Sequence, residues 1–437
     1  MEVRIVSSKF VKPSSPTPQH LKKKKLSFVD QAAPPAYVPL IFYYSSHNTY
    51  DNYKSMLHRL ETSLSQTLTK FYPLAGRLDV DHLSINCTDE GVEFLEAEVN
   101  FPLSQILHGQ IDYTKLSQFV PWPTPGSSTA PLLVIQINKF SCGGVGVGMN
   151  MTHEVADGFS ATTFIKAWAS SCQAGTNYII PAPTFELGNL FPAITDHVRI
   201  PKYPFAFKNK LDLVTRRFVF EGTAISKLKA QVVSGDGGLK GQASRVKVVS
   251  ALIWKALMGV SRAKHGYLRP SLLVHSMNLR DKVVNPTVSP TSFGNMYKLA
   301  YARFKPDDDQ NRTPELHNLV SLQRDALSSA KSIPGEELFS AITSPVEEII
   351  EEKALQEIDA YRITSLCGFP QYGIDFGWGK PVWVGGTQIS VELLVVLMNN
   401  ASGDGVEVEV SLDEEDMLHF QKDPDIIAFT NSSPILY

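Results

Sequence analysis

Residues 145–158, VGVGMNMTHEVADG, join a predicted strand to a predicted helix. Val145 to Met151 is predicted to be the returning strand of a hairpin, because two glycines before it supply a turn. From Phe159 to Cys172 the apolar residues recur at the spacing of an amphipathic helix. His153 therefore stands at the end of a strand, and Asp157 stands at the start of a helix. A hairpin that leads directly into a helix favours a fold of mixed α and β elements.

The rest of the chain also mixes helices and strands, without the regular alternation that produces a doubly wound parallel sheet. This pattern favours an α+β fold. Five prolines interrupt residues 174–215, and no periodic segment lies among them, which indicates a crossover between two domains. We expect an N-terminal domain over residues 1–190, a crossover linker over 191–215 and a C-terminal domain over 216–437.

Two strands are predicted near the C-terminus, at 388–398 and 405–412, with a glycine-containing turn between them. In the second strand, valines alternate with Glu407 and Glu409. Such alternation is typical of an antiparallel strand with one face in solvent. We therefore expect this strand to be half-exposed, with both glutamates in water.

The composition is that of a globular chain with little net charge. The 437 residues carry 41 Lys and Arg against 44 Asp and Glu, a formal net charge of -3. At roughly 100–200 residues per domain, this length predicts two or three domains. The balanced charge excludes a basic nucleic-acid-binding protein, so no nucleic-acid partner is expected. The four lysines at 22–25 are predicted to form a solvated surface segment.

The cysteines and the N-terminus indicate the compartment. Four cysteines are spread widely and form no CxxC pair, so we expect neither a disulfide framework nor a metal site. No signal peptide is visible, and no apolar run reaches the length of a membrane-spanning helix. We expect a cytoplasmic protein with no membrane partner.

His153 and Asp157 form the first candidate site. A neutral imidazole has an unperturbed pKa of about 6.5 and accepts a proton near neutral pH. Asp157 is placed to cap the following helix or to hold a cation. A His-x-x-x-Asp string alone also describes a packed histidine beside an ordinary helix cap, and both interpretations stay open at this point.

The second candidate segment is Asp375-Phe376-Gly377-Trp378-Gly379-Lys380-Pro381. Two glycines around a tryptophan indicate a tight backbone path packed against a large ring. Asp375 is placed to anchor that loop through hydrogen bonds. A purely structural loop without a ligand is the favoured interpretation of this segment by itself.

Together, the strings HEVADG at 153–158 and DFGWG at 375–379 resemble the hallmarks of the plant BAHD acyl-CoA-dependent acyltransferases. The resemblance covers essentially the whole chain. Within the family, the N-terminal residues and the Gly-Lys-Pro after the tryptophan look most similar to the vinorine synthase-like alkaloid and terpenoid acetyltransferase branch. Five further strings agree in order: LSFVD at 26–30, YPLAGR at 72–77, VVSALIWK at 248–255, NLR at 278–280 and FGN at 293–295.

The resemblance implies a two-domain, chloramphenicol acetyltransferase-like fold with mixed sheets and a solvent channel between the domains. It implies that His153 lies in the channel and deprotonates the acceptor as this attacks the acyl-CoA thioester. Direct transfer of this kind needs no covalent enzyme intermediate and no permanently bound cofactor. Acyl-CoA, with acetyl-CoA as the first expectation, is the implied co-substrate. O-acetylation of a hydroxylated alkaloid or terpenoid by a monomeric enzyme is the implied function.

The same resemblance assigns the site residues. His153, Asp157 and Asp375 are the motif residues of the catalytic set, although Asp157 is expected to point away from the channel and pair with Arg280, and Asp375 is expected to be structural. Structural support is expected from Arg280, Gly158, Gly377 and Trp378, and contacts to CoA are expected from Ser250 and Lys255.

Several alternatives stay open at this stage. Another acyl group, such as malonyl, benzoyl or hydroxycinnamoyl, or N-acylation, is compatible with the same fold. A non-catalytic ligand-binding protein on this fold is an alternative of another class, and a cyclisation or elimination with the same base is a further one. The acceptor, the regiochemistry and the donor that stabilises the oxyanion are not disclosed by the residues, because specificity depends on the shape of the channel.

Overall fold

A computed structural model describes most of the chain. The described residues are 2–45, 53–81, 83–108, 112–175, 178–195, 200–201, 212–235, 237–239, 241, 243–306, 314–328, 332–354 and 358–430. Much of the predicted linker, 196–199 and 202–211, lies outside them. Among the helices described, none has the length and apolar character needed to cross a membrane.

The strands of the described residues alternate irregularly with helices, as the sequence predicts. In chain order they are β1 (Val3–Val11), β2 (Lys23–Lys25), β3 (Tyr37–Tyr44), β4 (Arg77–Asp79), β5 (Ser84–Asn86), β6 (Val92–Val99), β7 (Leu133–Phe140), β8 (Val145–Thr152), β9 (Val214–Phe220), β10 (Ser271–Asn278), β11 (Val283–Val284), β12 (Tyr297–Phe304), β13 (Ile333–Pro334), β14 (Asp359–Ser365), β15 (Trp383–Gly385), β16 (Leu394–Asn399) and β17 (Val406–Leu412).

The helices of the described residues are given in chain order. They are α1 (Phe28–Ala32), α2 (Tyr53–Lys70), α3 (Ser104–Leu107), α4 (Tyr113–Leu116), α5 (Gly158–Ala174), α6 (Leu187–Leu190), α7 (Gly222–Gly235), α8 (Arg245–His265), α9 (Leu316–Ser328), α10 (Leu338–Ala354), α11 (Glu414–Phe420) and α12 (Pro424–Phe429). The predicted strand–turn–strand–helix unit around His153 is confirmed as β7, β8 and α5.

Two six-stranded mixed sheets form the centre of the fold. The first has the order β1-β6-β7-β8-β3-β15, and the second has the order β12-β10-β14-β16-β17-β9. Both contain parallel and antiparallel neighbours, for example β6 beside β7 and β7 beside β8. Helices α2 and α5 pack on the first sheet, and α8 lies in the core beside the second. The architecture is α+β, of the chloramphenicol acetyltransferase-like type, as predicted.

One late strand crosses between the two halves of the chain. β15 follows the DFGWG loop but pairs with β3, so that Trp383 lies opposite Tyr43 at the edge of the first sheet. The two rings stack with centroids 5.0 Å apart. Residues near 383 therefore complete a sheet made otherwise from the N-terminal part of the chain. The domain limits at 190 and 215 stay a prediction.

The predicted strand over 388–398 is too long. Only Leu394–Asn399 is extended, and residues 392–393 form a turn. Leu393 has a φ of 56°, in the left-handed region that interrupts an extended strand. Neither the residue type nor the apolar pattern signals this reversal.

The prediction of a half-exposed final strand is wrong. Glu407 and Glu409 are 3% and 2% exposed, although they alternate with buried valines in β17. The face that carries the glutamates packs against side chains from elsewhere in the chain, and Tyr113 and Trp383 both bond to it. Alternation alone does not reveal whether the polar face meets water or a second layer of protein.

Candidate active site

His153 is the first residue after strand β8, and the strand fixes its position. Its backbone N–H donates to the carbonyl oxygen of Ala36 at 2.7 Å, which extends the antiparallel pairing of β8 with β3 by one residue. The side chain is half-buried. The imidazole therefore projects from a rigid strand end rather than from a free loop.

Asn295 determines which nitrogen of His153 carries the proton. The Nδ2 of Asn295 donates to the carbonyl oxygen of His153 at 2.7 Å and to the carboxylate of Asp30 at 3.0 Å. Both partners are acceptors only, so the amide orientation is fixed. The Oδ1 of Asn295 then faces the Nδ1 of His153 at 3.1 Å. Because this oxygen can only accept, Nδ1 carries the hydrogen and Nε2 keeps the lone pair.

The carboxylate of Asp30 fixes the position of Asn295. Its Oδ1 accepts from both the backbone N–H and the side-chain amide of Asn295, at 2.8 and 3.0 Å. Its Oδ2 accepts from the N–H and hydroxyl of Ser27, which forms a capping box at the start of α1. Asp30 is only 2% exposed. A buried carboxylate with four donors is fully satisfied and holds the amide rigidly.

The surroundings of His153 favour the neutral imidazole. Burial lowers the pKa of His153 below its ordinary value, and the positive charge of Arg362 lowers the pKa further. The carboxylate of Asp157 and the bond to Asn295 oppose this shift but do not reverse it. A neutral ring with its lone pair on Nε2 is able to accept a proton at neutral pH.

Asp157 forms the expected ion pair with Arg280. The Nη1 of Arg280 donates to Oδ2 at 2.8 Å and its Nη2 donates to Oδ1 at 3.1 Å, a bidentate arrangement. Burial alone would raise the pKa of Asp157, but the guanidinium of Arg280 and backbone N–H donors lower it below the usual range. The backbone N–H of Ser160 donates to Oδ1, so Asp157 is also the N-cap of α5.

The pair belongs to a larger junction between α5 and the segment 292–296. The hydroxyl of Ser160 donates to the carbonyl oxygen of Gly294 at 2.9 Å, and the N–H of Gly294 donates back at 3.0 Å. The N–H of Met296 donates to Asp157 at 3.1 Å. Arg280 lies over the ring of Phe159 at 4.4 Å. The junction therefore sets the position of Asn295, which lies between Gly294 and Met296.

Gly158 is closely packed at the start of α5. A Cβ at this position would lie 3.2 Å from the Leu366 side chain and 3.3 Å from the Phe369 ring. These contacts are tighter than ordinary van der Waals distances, so a larger residue would require these side chains to shift by a few tenths of an ångström. The support role predicted for Gly158 is compatible with this placement.

The DFGWG loop is organised by Asp375. Its Oδ1 accepts from the backbone N–H groups of Gly377, Trp378 and Gly379 at 2.7, 3.1 and 2.9 Å. Gly377 has a φ of 103°, a conformation that favours glycine, and a Cβ there would lie 2.5 Å from an Arg59 nitrogen. The loop is thus a compact turn around a single carboxylate oxygen.

The same loop is fixed to the first half of the chain. Arg59 donates to the carbonyl oxygens of Phe376 and Cys172, each at 3.2 Å. The buried Phe376 ring packs edge-on against Trp168 at 4.8 Å and stacks on Trp378 at 5.4 Å. These contacts are to helices α2 and α5, and no hydrogen bond of the described residues joins Asp375 to His153.

The predicted site residues thus separate into three groups. His153, Asp157 and Arg280 lie around one junction, whereas Asp375 forms a separate loop with Gly377 and Trp378. The predicted CoA contacts lie elsewhere again, on α8 in the second core. Ser250 is fully buried, and Lys255 pairs with Asp425 at 2.8 Å. Their contact with CoA stays a prediction.

Two residues of the site were missed as functional by the sequence analysis. Asn295 and Asp30 belong to the strings FGN and LSFVD, but no functional role was predicted for either residue. The pattern Ser27-x-x-Asp30 does signal a capping box. No local pattern, however, indicates that Asp30 also reaches a residue 265 positions away.

A cavity of about 540 Å³ opens beside this junction. Arg280 lines it together with Phe159, and the end of β10, residues 275–278, forms one wall. Lys282 and Asp281 also line it, and their side chains pair at 3.1 Å. The cavity therefore reaches the guanidinium that holds Asp157, on the side of the junction that faces the second sheet.

Known proteins resemble this chain over its full length. The sequence profile of the Transferase family matches residues 1–427. Acetyl-CoA-benzylalcohol acetyltransferase of Clarkia breweri is 34% identical over 444 residues, which cover 99% of this chain and 100% of that protein. Stemmadenine O-acetyltransferase of Catharanthus roseus is 34% identical over 431 residues, 97% of each. The crystal structure of vinorine synthase superposes with a TM-score of 0.84 and 31% identity over 100% of both chains.

Proposed function

The chain belongs to the Transferase family, the plant BAHD acyl-CoA-dependent acyltransferases, and we propose that it transfers an acetyl group from acetyl-CoA to a hydroxyl group of an alkaloid or terpenoid. It is an acyltransferase, and acyl-CoA is its co-substrate. One relative named above is an acetyl-CoA-dependent enzyme for an alcohol and another is an O-acetyltransferase. These names support acetyl transfer to oxygen. The monomeric state and the cytoplasmic location stay predictions.

His153 is the proposed general base, and the hydrogen-bond network carries this assignment. With Nδ1–H directed at Asn295, the lone pair of Nε2 is left to accept the proton of the acceptor hydroxyl. An alcohol is a weak nucleophile at neutral pH, and a positioned base contributes roughly 10²–10⁴-fold to such a step. Asn295 and Asp30 are positioning residues, because they act on substrate only through the ring that they orient.

The bond changes balance without a covalent enzyme intermediate. The acceptor oxygen forms a bond to the thioester carbonyl carbon as its proton moves to Nε2. The tetrahedral intermediate then breaks its carbon–sulfur bond, and the CoA thiolate takes the proton back from the imidazolium. The products are the acetyl ester and free CoA thiol. His153 ends in its starting form.

Asp157 and Asp375 are proposed as positioning and structural residues respectively. Asp157 is fully occupied by Arg280 and by two backbone N–H groups, so its carboxylate has no free role in proton transfer. Arg280 keeps this buried charge paired. One carboxylate oxygen of Asp375 accepts hydrogen bonds from three backbone N–H groups of its own loop. Neither carboxylate is proposed to touch the reacting atoms.

We propose that part of the acyl-CoA molecule binds in the cavity beside Arg280. Residues 275–278 of β10 form one wall. The cations at the cavity are already paired, Arg280 with Asp157 at 2.8 Å and Lys282 with Asp281 at 3.1 Å, so an uncharged part of the CoA molecule is the part proposed to lie here. The cavity volume of about 540 Å³ is enough for part of the CoA molecule. Contact of CoA with Ser250 and Lys255 stays a separate prediction.

The direct test is turnover by the purified protein. The protein is incubated with acetyl-CoA and a panel of hydroxylated alkaloids and terpenoids. With at least one acceptor, free CoA thiol should be released and the acetyl ester should be detectable by mass spectrometry. His153→Ala should lose roughly 10²–10⁴-fold in rate with that acceptor. An unchanged rate for His153→Ala would contradict the general-base assignment. Faster turnover with malonyl-, benzoyl- or hydroxycinnamoyl-CoA in a competition would contradict acetyl as the transferred group.

A further inference from the structure

Tyr297 lies beside His153, at the first position of β12. The centroids of the two rings are 5.6 Å apart, and the ring planes are inclined at 50°. Tyr297 follows Asn295, the residue that orients His153, by two positions. The phenol therefore belongs to the immediate surroundings of the proposed base, although the acyl transfer described above gives it no part.

The backbone holds Tyr297 in a fixed position. In β12 it pairs with Asn278, at the end of β10. The Oδ1 of Asn278 accepts from the backbone N–H and from the Nη1 of Arg280, each at 3.1 Å. Tyr297 is thus tied to the same junction that positions Asp157 and Asn295. A side chain on a paired strand is placed more precisely than one on a loop.

The hydroxyl of Tyr297 is able to donate a hydrogen bond to a substrate. The residue is half-buried, and within the described part of the chain no oxygen or nitrogen accepts a hydrogen bond from this hydroxyl. Burial raises the pKa of Tyr297 to about 12. The phenol therefore keeps its hydrogen over the whole pH range in which a neutral histidine acts as a base.

The guanidinium of Arg362 acts on both rings. Its positive charge lowers the pKa of Tyr297 and the pKa of His153. Arg362 lies on β14, two strands from β12 in the second sheet, and is 8% exposed. Because a guanidinium only donates hydrogen bonds, the phenol hydrogen is directed away from Arg362. A phenol donor beside a positive charge suits an oxygen that becomes negative better than it suits a neutral alcohol.

We propose that the hydroxyl of Tyr297 stabilises the oxyanion of the tetrahedral intermediate, with the positive charge of Arg362 beside it. This inference rests on the proposed acyl transfer and names the donor that the sequence leaves open. As the acceptor oxygen bonds to the thioester carbon, the π electron pair of the carbonyl moves to the carbonyl oxygen. Tyr297 donates a hydrogen bond to this oxygen and keeps its proton. When the carbon–sulfur bond breaks, the electron pair returns and forms the ester carbonyl.

The charges around the intermediate favour this arrangement. Proton transfer converts His153 into an imidazolium, which the charge of Arg362 disfavours in the free enzyme. A negative oxygen beside both cations offsets this repulsion, and it exists only after the acceptor has attacked. The stabilisation is therefore larger in the intermediate than in the bound substrates, which is the condition for a faster reaction.

Tyr297→Phe tests the proposal in the purified full chain, because it removes the hydroxyl and keeps the ring beside His153. Loss of one oxyanion donor costs roughly 10²–10³-fold in kcat. We expect this loss with every acceptor that the wild type uses, while KM for acetyl-CoA and for the acceptor stays close to the wild-type value. Tyr301→Phe is the matched control, four residues further on the same face of β12. Its hydroxyl donates to Glu348, and this variant should keep the wild-type kcat.

Rates are compared per folded molecule, with the folded fraction measured by urea unfolding. A kcat of Tyr297→Phe equal to that of the wild type would overturn the inference. So would a loss confined to some acceptors, or one seen as a higher KM for the acceptor, because Tyr297 would then contact the acceptor instead of the oxyanion. A slow His153→Ala beside a Tyr297→Phe at the wild-type rate would reject this inference alone. Absence of turnover by the wild type with all acceptors would reject the proposed function together with it.

Discussion

At the scale of single residues, the tautomer of His153 is the property on which the proposed chemistry depends. Histidine has two nitrogens, and only the one that lacks hydrogen is able to accept a proton. Asp30 fixes the amide of Asn295, and Asn295 fixes the ring. The sequence placed His153 correctly at a strand end but gave no reason for one nitrogen to be the base. That reason comes from residues 30 and 295, which only the fold brings together.

Replacing Asn295 with Ala should lower kcat about 100-fold while KM changes little. The imidazole loses the acceptor that orients it, and misplacement of a catalytic group by about 1 Å costs on the order of 100-fold. Steady-state kinetics measure the split between kcat and KM. Asn150→Ala is the matched control, since it removes another buried amide, from the strand that precedes His153. The Nδ2 of Asn150 donates to the carbonyl oxygen of Pro121 at 3.0 Å. An equal fall in kcat for both variants would contradict a positioning role for Asn295.

The pH profile of acyl transfer should reflect the depressed pKa of His153. Burial favours the neutral ring, so the base stays active as the pH falls, and the acid limb of kcat/KM should have an apparent pKa below about 6.5. Measurement of kcat/KM from pH 5 to 9 with one acceptor checks this. An acid limb centred above pH 7 would be inconsistent with this environment of the ring.

At the scale of elements, the DFGWG loop shows what a local motif does and does not reveal. The sequence predicts a tight turn anchored by Asp375. In the structure, three backbone N–H groups donate to Asp375 and hold the turn together. It does not reveal Arg59, which reaches the loop from α2, 317 positions away from Phe376. Helix α2 itself was predictable from its apolar spacing. The turn at Leu393 was not, because its backbone conformation has no side-chain signal.

Asp375→Ala should destabilise the protein by about 2 kcal/mol, because three backbone donors lose a charged acceptor. The kcat of the folded fraction should stay close to that of the wild type. Urea unfolding gives the free energy, and activity per folded molecule gives kcat. Asp375→Asn keeps one acceptor oxygen and should lose less stability. A fully stable Asp375→Ala with kcat reduced 100-fold would instead place this carboxylate in the reaction.

At the scale of the whole molecule, the two sheets are joined through buried charge rather than through apolar packing alone. Glu407 accepts from Arg217 at 2.7 Å, from Trp383 at 3.2 Å and from Tyr372 at 3.2 Å. Trp383 belongs to the first sheet and β17 to the second. Such an ion pair is costly to break, since removal of one partner leaves a buried charge. The sequence could not predict this, because alternating glutamates have the same pattern on a solvated face.

Glu409 lies two residues further along the same face of β17, and no guanidinium of the described residues is bonded to it. It accepts from the hydroxyl of Tyr113 at 3.1 Å and from the N–H of Gly386 at 3.2 Å. Arg217 is engaged by Glu407, and the neighbouring Tyr43 is buried and neutral. Burial raises the pKa of Glu409 to about 7, and the nearby charge of Glu407 adds to the shift.

This raised pKa predicts a stability that falls as the pH increases. Between the unfolded value of about 4.5 and the folded value of about 7, the folded state binds more protons than the unfolded state. The free energy of unfolding therefore decreases over this window, by about 3 kcal/mol in total. Glu409→Gln keeps a neutral acceptor for Tyr113 and removes the titration. Urea unfolding at pH 5, 6, 7 and 8 should show the variant more stable than the wild type at pH 8, with little difference at pH 5.

Glu407→Gln is the matched comparison, because it changes the carboxylate that is paired with Arg217 on the same strand. Loss of that pair leaves the guanidinium buried and unpaired, so this variant should be less stable than the wild type at every pH of the series. The two substitutions remove the same charge, two residues apart, and are expected to act in opposite directions at pH 8. If Glu409→Gln follows the wild type at all four pH values, the carboxyl of Glu409 is ionised throughout, and the positive charge of Arg217, which lowers the pKa of Glu409, then outweighs the effect of burial between the two sheets.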